Sequence, residues 1–384
     1  MNSYTKKTFI FFLFFNFLFS SEIKVGMTAD FSGSLSYLGK SMKKGIESYF
    51  NNYNKNSNNK YKLIVYNDMY DPLLTTKYVK KLIKEDDVSV ILGSIGTPTA
   101  NAILPIVKEN KIPFVAPYSG GDVLRLSENE YVFNFRASYS QEAYSITKKL
   151  LSEGVNVNEI AVFSQNDTYG NSGYYGVRKA IMENKNLIIS DLTHERYTSG
   201  TLNIELGLSK LLDLNNKYKA IIVVGSDEAI IKFIRYAKED YRQVKFFLLS
   251  PTDNRKIARE LFLFSEDIFI TQVLPPFSSK DNIDIIKEFI KAYELTHNSK
   301  DYNITSFEGY LSAKLLVKAI QENKIINKEK IYNSLKKLRE IDIGLGFKSD
   351  FNNPKSQYSD EIWICQFNDS YELTTVKDSI YKDE

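Results

Sequence analysis

A turn rich in glycine and hydroxyl side chains, Gly93-Ser94-Ile95-Gly96-Thr97-Pro98-Thr99, follows the apolar run Val88 to Leu92, and its chemistry suits an anion. Gly93 and Gly96 allow close backbone approach, while Ser94, Thr97 and Thr99 offer hydroxyls to a ligand or to the helix that follows. The Gly-Lys-Ser/Thr ending of a P-loop is missing, which disfavours a nucleotide phosphate. A carboxylate, or plain helix capping, remains. Similar polar turns follow other apolar runs: Asp30 to Gly39, Pro117 to Asp122, Gln165 to Gly170, Gly225 to Glu228 and Ser250 to Asp253. If two sheets point such turns at each other, they enclose a cleft of hydroxyls, amides, tyrosines and aspartates. That cleft suits a small zwitterion, with helix N-termini and Thr97 or Ser119 on its carboxylate and an aspartate on its amine.

Catalytic chemistry has little to stand on. His194 and His297 are the two histidines, and neither neighbours a His or Cys at metal-ligand spacing. Both are expected at the surface. Gly-x-Ser-x-Gly does not occur, so a binding protein without cofactor or metal is expected, with a small-substrate hydrolase as the remote alternative.

The elements that must position these turns alternate. Short β-rich runs (Ile23 to Met27, Lys62 to Tyr66, Val88 to Gly93, Pro113 to Ala116) are interleaved with amphipathic stretches at helical spacing (Lys40 to Tyr53, Thr75 to Lys84, Thr99 to Glu109). This alternation predicts an α/β lobe with a parallel sheet. A second series runs from Ala143, with strands at Ile160 to Ser164, Leu187 to Leu192, Ala220 to Gly225 and Val244 to Leu249. The chain's 384 residues suffice for two such cores.

Composition narrows the partner. Lys and Arg number 50 against 47 acids, without a basic block, so nucleic acid and anionic lipid are not expected. At the N-terminus, Lys6 and Lys7 precede a phenylalanine-rich run to Phe19, then Ser20 and Ser21. That order of charge, apolar core and small residues predicts a secretory signal peptide over 1–21. The single cysteine, Cys365, lies far from the expected cleavage point, so neither a lipid anchor nor an internal disulfide is expected.

The order and spacing of "ADFSGSLSYLG", "YNDMYDP", "GSIGTPTANAILPIVKENKIPFVAPYSGGDVLR", "YVFNFRASYSQEA" and "IAVFSQNDTYGNSGYYGV" resemble the leucine/isoleucine/valine-binding-protein type of periplasmic solute-binding proteins, the receptors of amino-acid ABC transporters. The resemblance implies two Rossmann-like lobes joined by a three-stranded hinge, with crossovers near Arg136, Ser250 and Gly346. Lobe I would hold 22–136 plus 251–345, lobe II 137–250 plus 346–376, and 377–384 would form a tail. Carried over by position, the carboxylate-holding hydroxyl falls on Thr97, with Ser94 in the same turn, and the next contacts fall on Tyr118, Ser119 and Gly120. The aromatic position of lobe II falls on Tyr169, and the first-turn contact on Tyr37 or Leu38.

Two departures bear on the ligand. Ser226 stands where the branched-chain binders carry a tyrosine, and the turn Ser250 to Asp253 stands where they carry an amine-binding glutamate. The amine partner is left open between Asp227 and Asp253, each of which could equally cap a helix. Tyr139 could touch ligand or fill the hinge, and Arg136 could meet a ligand acid or tie the lobes together. The expected protein is a periplasmic monomer that closes on a small polar ligand, an amino acid or related carboxylate or amide, and docks on an inner-membrane ABC permease. A chemoreceptor or histidine kinase is the alternative partner.

Overall fold

In the computed structural model, residues 22–184, 187–213, 217–279, 283–323, 326–377 and 379–381 are described; the expected signal peptide lies outside them. The first lobe is built from β1 (Glu22–Ala29), α1 (Ser36–Lys55), β2 (Lys60–Asn67), α2 (Pro72–Lys84), β3 (Val90–Leu92), α3 (Thr97–Glu109), β4 (Phe114–Val115) and β5 (Val132–Phe133). Its five parallel strands are ordered β2-β1-β3-β4-β5. The second lobe takes α4 (Tyr139–Ser152), β6 (Ile160–Gln165), α5 (Thr168–Met182), β7 (Thr193–Tyr197), α6 (Glu205–Asp213), β8 (Ala220–Val224), α7 (Asp227–Asp240), β9 (Lys245–Leu248), α8 (Asn254–Glu260) and β10 (Ile268–Gln272). The chain then returns to the first lobe through α9 (Asp284–His297), α10 (Ile304–Ile320), α11 (Lys328–Lys337) and the small hairpin β11 (Ile341–Asp342) and β12 (Lys348–Ser349). It ends in the second lobe with β13 (Trp363–Phe367) and β14 (Leu373–Thr375), which add antiparallel strands beside β10.

The parallel part of the second sheet runs β7-β6-β8-β9-β10, the same order as the first. Its central strands are buried along their length, Ala220-Ile221-Ile222-Val223-Val224 among them, because helices cover both faces and leave no polar side. In each lobe the strand order reverses beside the first strand, between β1 and β3 and between β6 and β8. A crevice opens at the carboxyl ends of the strands at such a point.

Helices α1 and α10 pack closely in the first lobe because each offers a glycine at the crossing. A Cβ at Gly45 would lie 1.9 Å from the Ser306 carbonyl oxygen, and one at Gly309 2.4 Å from that of Met42. Gly45→Ala is therefore expected to force the helices apart and cost about 3 kcal/mol, the upper end of overpacking. Calorimetric melting should show the first lobe's transition several degrees lower, and an unchanged melting point would contradict this close contact.

Several boundaries differ from those expected. The segment 251–272 belongs to the second lobe, since β10 pairs with β9 and Ile257 sits in the same core as Ile270. The chain crosses back only at Val273–Leu274, with Leu274 in the first core. Ser250 is thus at the lobe junction but not on a crossover. Gly346 lies in the β11–β12 hairpin with φ 85° and open space about its Cα, and Phe351 and Tyr358 beyond it still belong to the first core. The third crossing falls at Ser359–Glu361. Of the expected tail, the described residues 379–381 pack on the second lobe: Ile380 is buried there, and the Ile380 amide donates to Glu153.

The strand expected over Leu187 to Leu192 is β7, further along at Thr193–Tyr197, with a short 3-10 turn at Ile189–Asp191 before it. It is an edge strand, and Thr-His-Glu-Arg-Tyr carries the charges that protect an open edge rather than an apolar pattern. His194 is half-buried rather than exposed: its ring stacks on Tyr174 at 4.1 Å and contacts Ser164 at 2.9 Å, and its pKa is lowered to about 4 by burial and then by Arg196. His297 is also partly buried, its Nε2 2.9 Å from the Lys44 carbonyl. Cys365, on β13, is buried and its thiol is pushed up to about 12. Among the described residues no helix is long and apolar enough to cross a membrane.

Candidate ligand-binding cleft

The two crevices face each other across one cavity of about 420 Å³ lined from both lobes. Local hydrogen bonding sets each wall. After β1, the buried Asp30 carboxylate accepts from the amides of Ser32, Gly33 and Leu35 at 3.0, 2.6 and 3.0 Å, which curls the chain and presents Leu35 and Tyr37. After β2, Asp68 accepts from the Tyr70 amide and the Thr75 hydroxyl, both at 3.0 Å. It thereby holds Met69 and Tyr70 at φ 53° and 61°, a left-handed pair that side chains rarely adopt without such support. The Tyr70 ring lies against Gly96, itself at φ 100°, where a Cβ would meet the ring at 2.2 Å.

Of the residues singled out in the sequence, Tyr37, Thr97, Tyr118, Tyr139, Tyr169, Ser226 and Asp227 line the cavity. Ser119 stands directly behind Thr97, its hydroxyl 2.8 Å away. Gly120 provides space, because a Cβ there would lie 2.6 Å from the Tyr139 ring. Ser94 is turned inward and accepts from the Thr28 amide. Asp253 caps α8, accepting from the amides of Arg255 and Lys256. Tyr70, Gln165 and the loop Ser199 to Leu202 also line the cavity, and the sequence reading did not single them out. Tyr70 had a usable signal: it sits in a polar turn between a strand end and a helix opening with proline. The Ser199 loop had none, because the strand before it was misplaced.

The cavity is polarised. On the first-lobe side, α3 starts at Gly96 without a side-chain cap and with no acid in its first turn, so its amides and the Thr97 hydroxyl present partial positive charge. On the other side, α7 opens with Asp227 and Glu228. Asp227 is buried, its Oδ2 accepting from the Tyr37 phenol at 2.8 Å and its Oδ1 from the Asp253 amide at 3.2 Å. Burial pushes its carboxyl up to about 7, against the lowering effect of those two donors. Among the described residues, no Lys or Arg lines the cavity. A buried cation stands one layer back, with the Arg136 guanidinium 4.5 Å from the Tyr118 ring centroid and 5.8 Å from that of Tyr139.

Arg136 occupies the first crossover and links both lobes. It faces Glu308 of α10 at 3.7 Å and donates to the Ser250 hydroxyl. Ser250 in turn donates its amide and hydroxyl to Glu142 of α4, both at 2.8 Å. Further contacts close the lobes on each other: Tyr37 to Asp227 as above, Asp122 with Ser140, and the Arg255 guanidinium to the Tyr302 carbonyl at 2.7 Å.

Two doubly wound lobes joined by three crossings, with a cavity at their facing strand ends, define a two-lobed receptor for a small molecule. The sequence pattern of the periplasmic binding proteins matches residues 22–372, and the chain belongs to that family; its fold is the type I form. The Leu/Ile/Val-binding protein homolog 7 of Brucella abortus is 22% identical over 88% of both chains. Homolog 6 of the same organism is 26% identical over a shorter stretch, 36% of this chain and 35% of that relative. The crystal structure of a possible leucine/isoleucine/valine-binding protein from Rhodopirellula baltica superposes with a TM-score of 0.86 at 31% identity, covering 94% of this chain and 97% of that one.

Proposed function

We propose that this chain is the exported solute receptor of an ABC importer, closing on an amino acid or closely related carboxylate and presenting it to a membrane permease. The observation that carries this reading is the opposed polarity of the cavity. The uncapped start of α3 with Thr97 lies in one lobe and Asp227 in the other. A ligand with both an anionic and a cationic group would bridge them and favour the closed arrangement, and a permease could read occupancy from that arrangement. The names of the Brucella relatives and the family's periplasmic setting agree with it.

A thermal-shift screen of residues 22–384 against amino acids, short carboxylates, amides, polyamines, purines and sugars tests the reading. A ligand at a hundredfold its Kd adds about 2.7 kcal/mol, which moves the melting point by a few degrees. Thr97→Val, which removes one hydroxyl at nearly constant shape, is expected to weaken an amino acid about tenfold to a hundredfold, the range for a lost hydrogen bond to a charged group. Calorimetric titration measures it. Shifts with another ligand class and none with any amino acid would overturn the proposed ligand.

A further inference from the structure

We infer that the cavity selects an amino acid with a flat, polar-edged aromatic side chain, of the tyrosine or tryptophan type, over a branched aliphatic one. This rests on the amino-acid reading above and concerns the part of the ligand that the Thr97 and Asp227 poles leave unspecified.

Five tyrosines line the cavity, namely Tyr37, Tyr70, Tyr118, Tyr139 and Tyr169. Three of their hydroxyls are engaged within the protein, Tyr37 with Asp227, Tyr118 with Thr305 at 3.1 Å, and Tyr139 with the Gly120 amide. Among the described residues, no hydrogen bond is made by the hydroxyl of Tyr70 or Tyr169, both half-buried side chains that line the cavity. Such phenols take their partner from whatever fills the cavity. Two of them, one from each lobe, are complementary to a ligand with polar atoms at its rim.

The rings themselves form hard walls. Tyr70 is pressed on Gly96 and Tyr139 on Gly120, where added Cβ atoms would overlap them, and Tyr139 and Tyr169 meet at 4.5 Å with a 58° tilt. Fixed rings at an angle offer a flat guest both faces and edges, the arrangements aromatic pairs favour. Tyr70 belongs to the first lobe and the other two to the second, so such a guest would be clasped as the lobes close.

An aromatic cage could also hold a methylated ammonium, but two features oppose it here. The Arg136 guanidinium already lies beside the Tyr118 and Tyr139 rings, which weakens their attraction for a second cation. A quaternary ammonium head also offers no donor or acceptor to the two free hydroxyls.

Calorimetric titration of residues 22–384 with L-tyrosine, L-tryptophan, L-phenylalanine, L-leucine, L-valine and glycine betaine separates the cases. Tyrosine or tryptophan is expected to bind at least tenfold more tightly than leucine or valine. Tyr169→Leu should lower the affinity for tyrosine and tryptophan by a larger factor than that for leucine, and so narrow the margin, with the variant's circular dichroism and melting point reporting that it is folded. Tyr70→Phe and Tyr169→Phe should weaken tyrosine more than phenylalanine, because their hydroxyls serve the ligand's rim. Leucine or valine binding as tightly as the aromatic amino acids would overturn the inference while sparing the amino-acid reading, and so would an aromatic preference untouched by Tyr169→Leu. Tighter binding of betaine also overturns it, and binding of no amino acid overturns both.

Discussion

Affinity for an amino acid is expected to fall about tenfold for each pH unit below 7, reaching a hundredfold loss near pH 5. In the empty cavity Asp227 holds its proton up to about pH 7, because burial disfavours the carboxylate more than the Tyr37 and Asp253 donors stabilise it. A ligand ammonium needs the charged form, so binding in acid must expel that proton. Titration in two buffers of different ionisation enthalpy measures the release directly: close to one proton at pH 6 and close to none at pH 8. A flat pH profile without proton release would remove Asp227 as the amine partner. The ligand-free protein carries the opposite sign. A carboxyl raised from 3.8 to about 7 on folding contributes stability that is complete below 3.8 and is lost as pH rises through 7. Asp227→Asn should accordingly be more stable than the parent at pH 8 and bind an amino acid far more weakly.

Arg136→Met should cost about 3–5 kcal/mol of stability at neutral pH, the usual consequence of removing one partner from a buried ion pair. Arg136 is 1% exposed and Glu308 2%, so neither can be rescued by water. Burial leaves the Glu308 carboxyl raised to about 7 even with Arg136 pulling it the other way. Without the arginine, the cost of charging Glu308 applies above its ordinary value of 4.5 and shrinks as the pH is lowered toward it. Denaturant melts should therefore show a smaller gap between parent and variant at pH 5 than at pH 8, and Arg136→Met with Glu308→Gln should recover most of the loss. A single variant losing less than about 1 kcal/mol at pH 8 would mean that the pair is not what holds this crossover.

The positions of the cleft's walls were legible because their chemistry is local. Strand ends followed by glycine and hydroxyl turns identify themselves, and Thr97, Tyr118 and Tyr169 line the cavity. The choice between Asp227 and Asp253 was not legible. Both follow a strand and stand at a helix start, and only tertiary placement separates Asp253, which caps α8, from Asp227, which lies just inside α7 and faces the cavity. The lobe boundaries failed for a related reason. Nothing in the local pattern of Ile268–Gln272 says which sheet it joins; its pairing with β9 and β13 decides that. Gly346 looked like a crossover from its place in the chain, whereas its positive φ serves a hairpin turn.

For a chain exported as proposed, the sealed position of Cys365 bears on its survival in an oxidising compartment. Its thiol lies on β13 between β10 and β14, and a group pushed up to about 12 supplies almost no thiolate, the form that attacks disulfides. The folded protein is thus inert toward other chains' sulfurs. Its nascent form is not, because this strand is among the last in the sequence, and the sulfur stays open to mixed-disulfide formation until the second sheet is complete. Rapid closure of that sheet would be its protection.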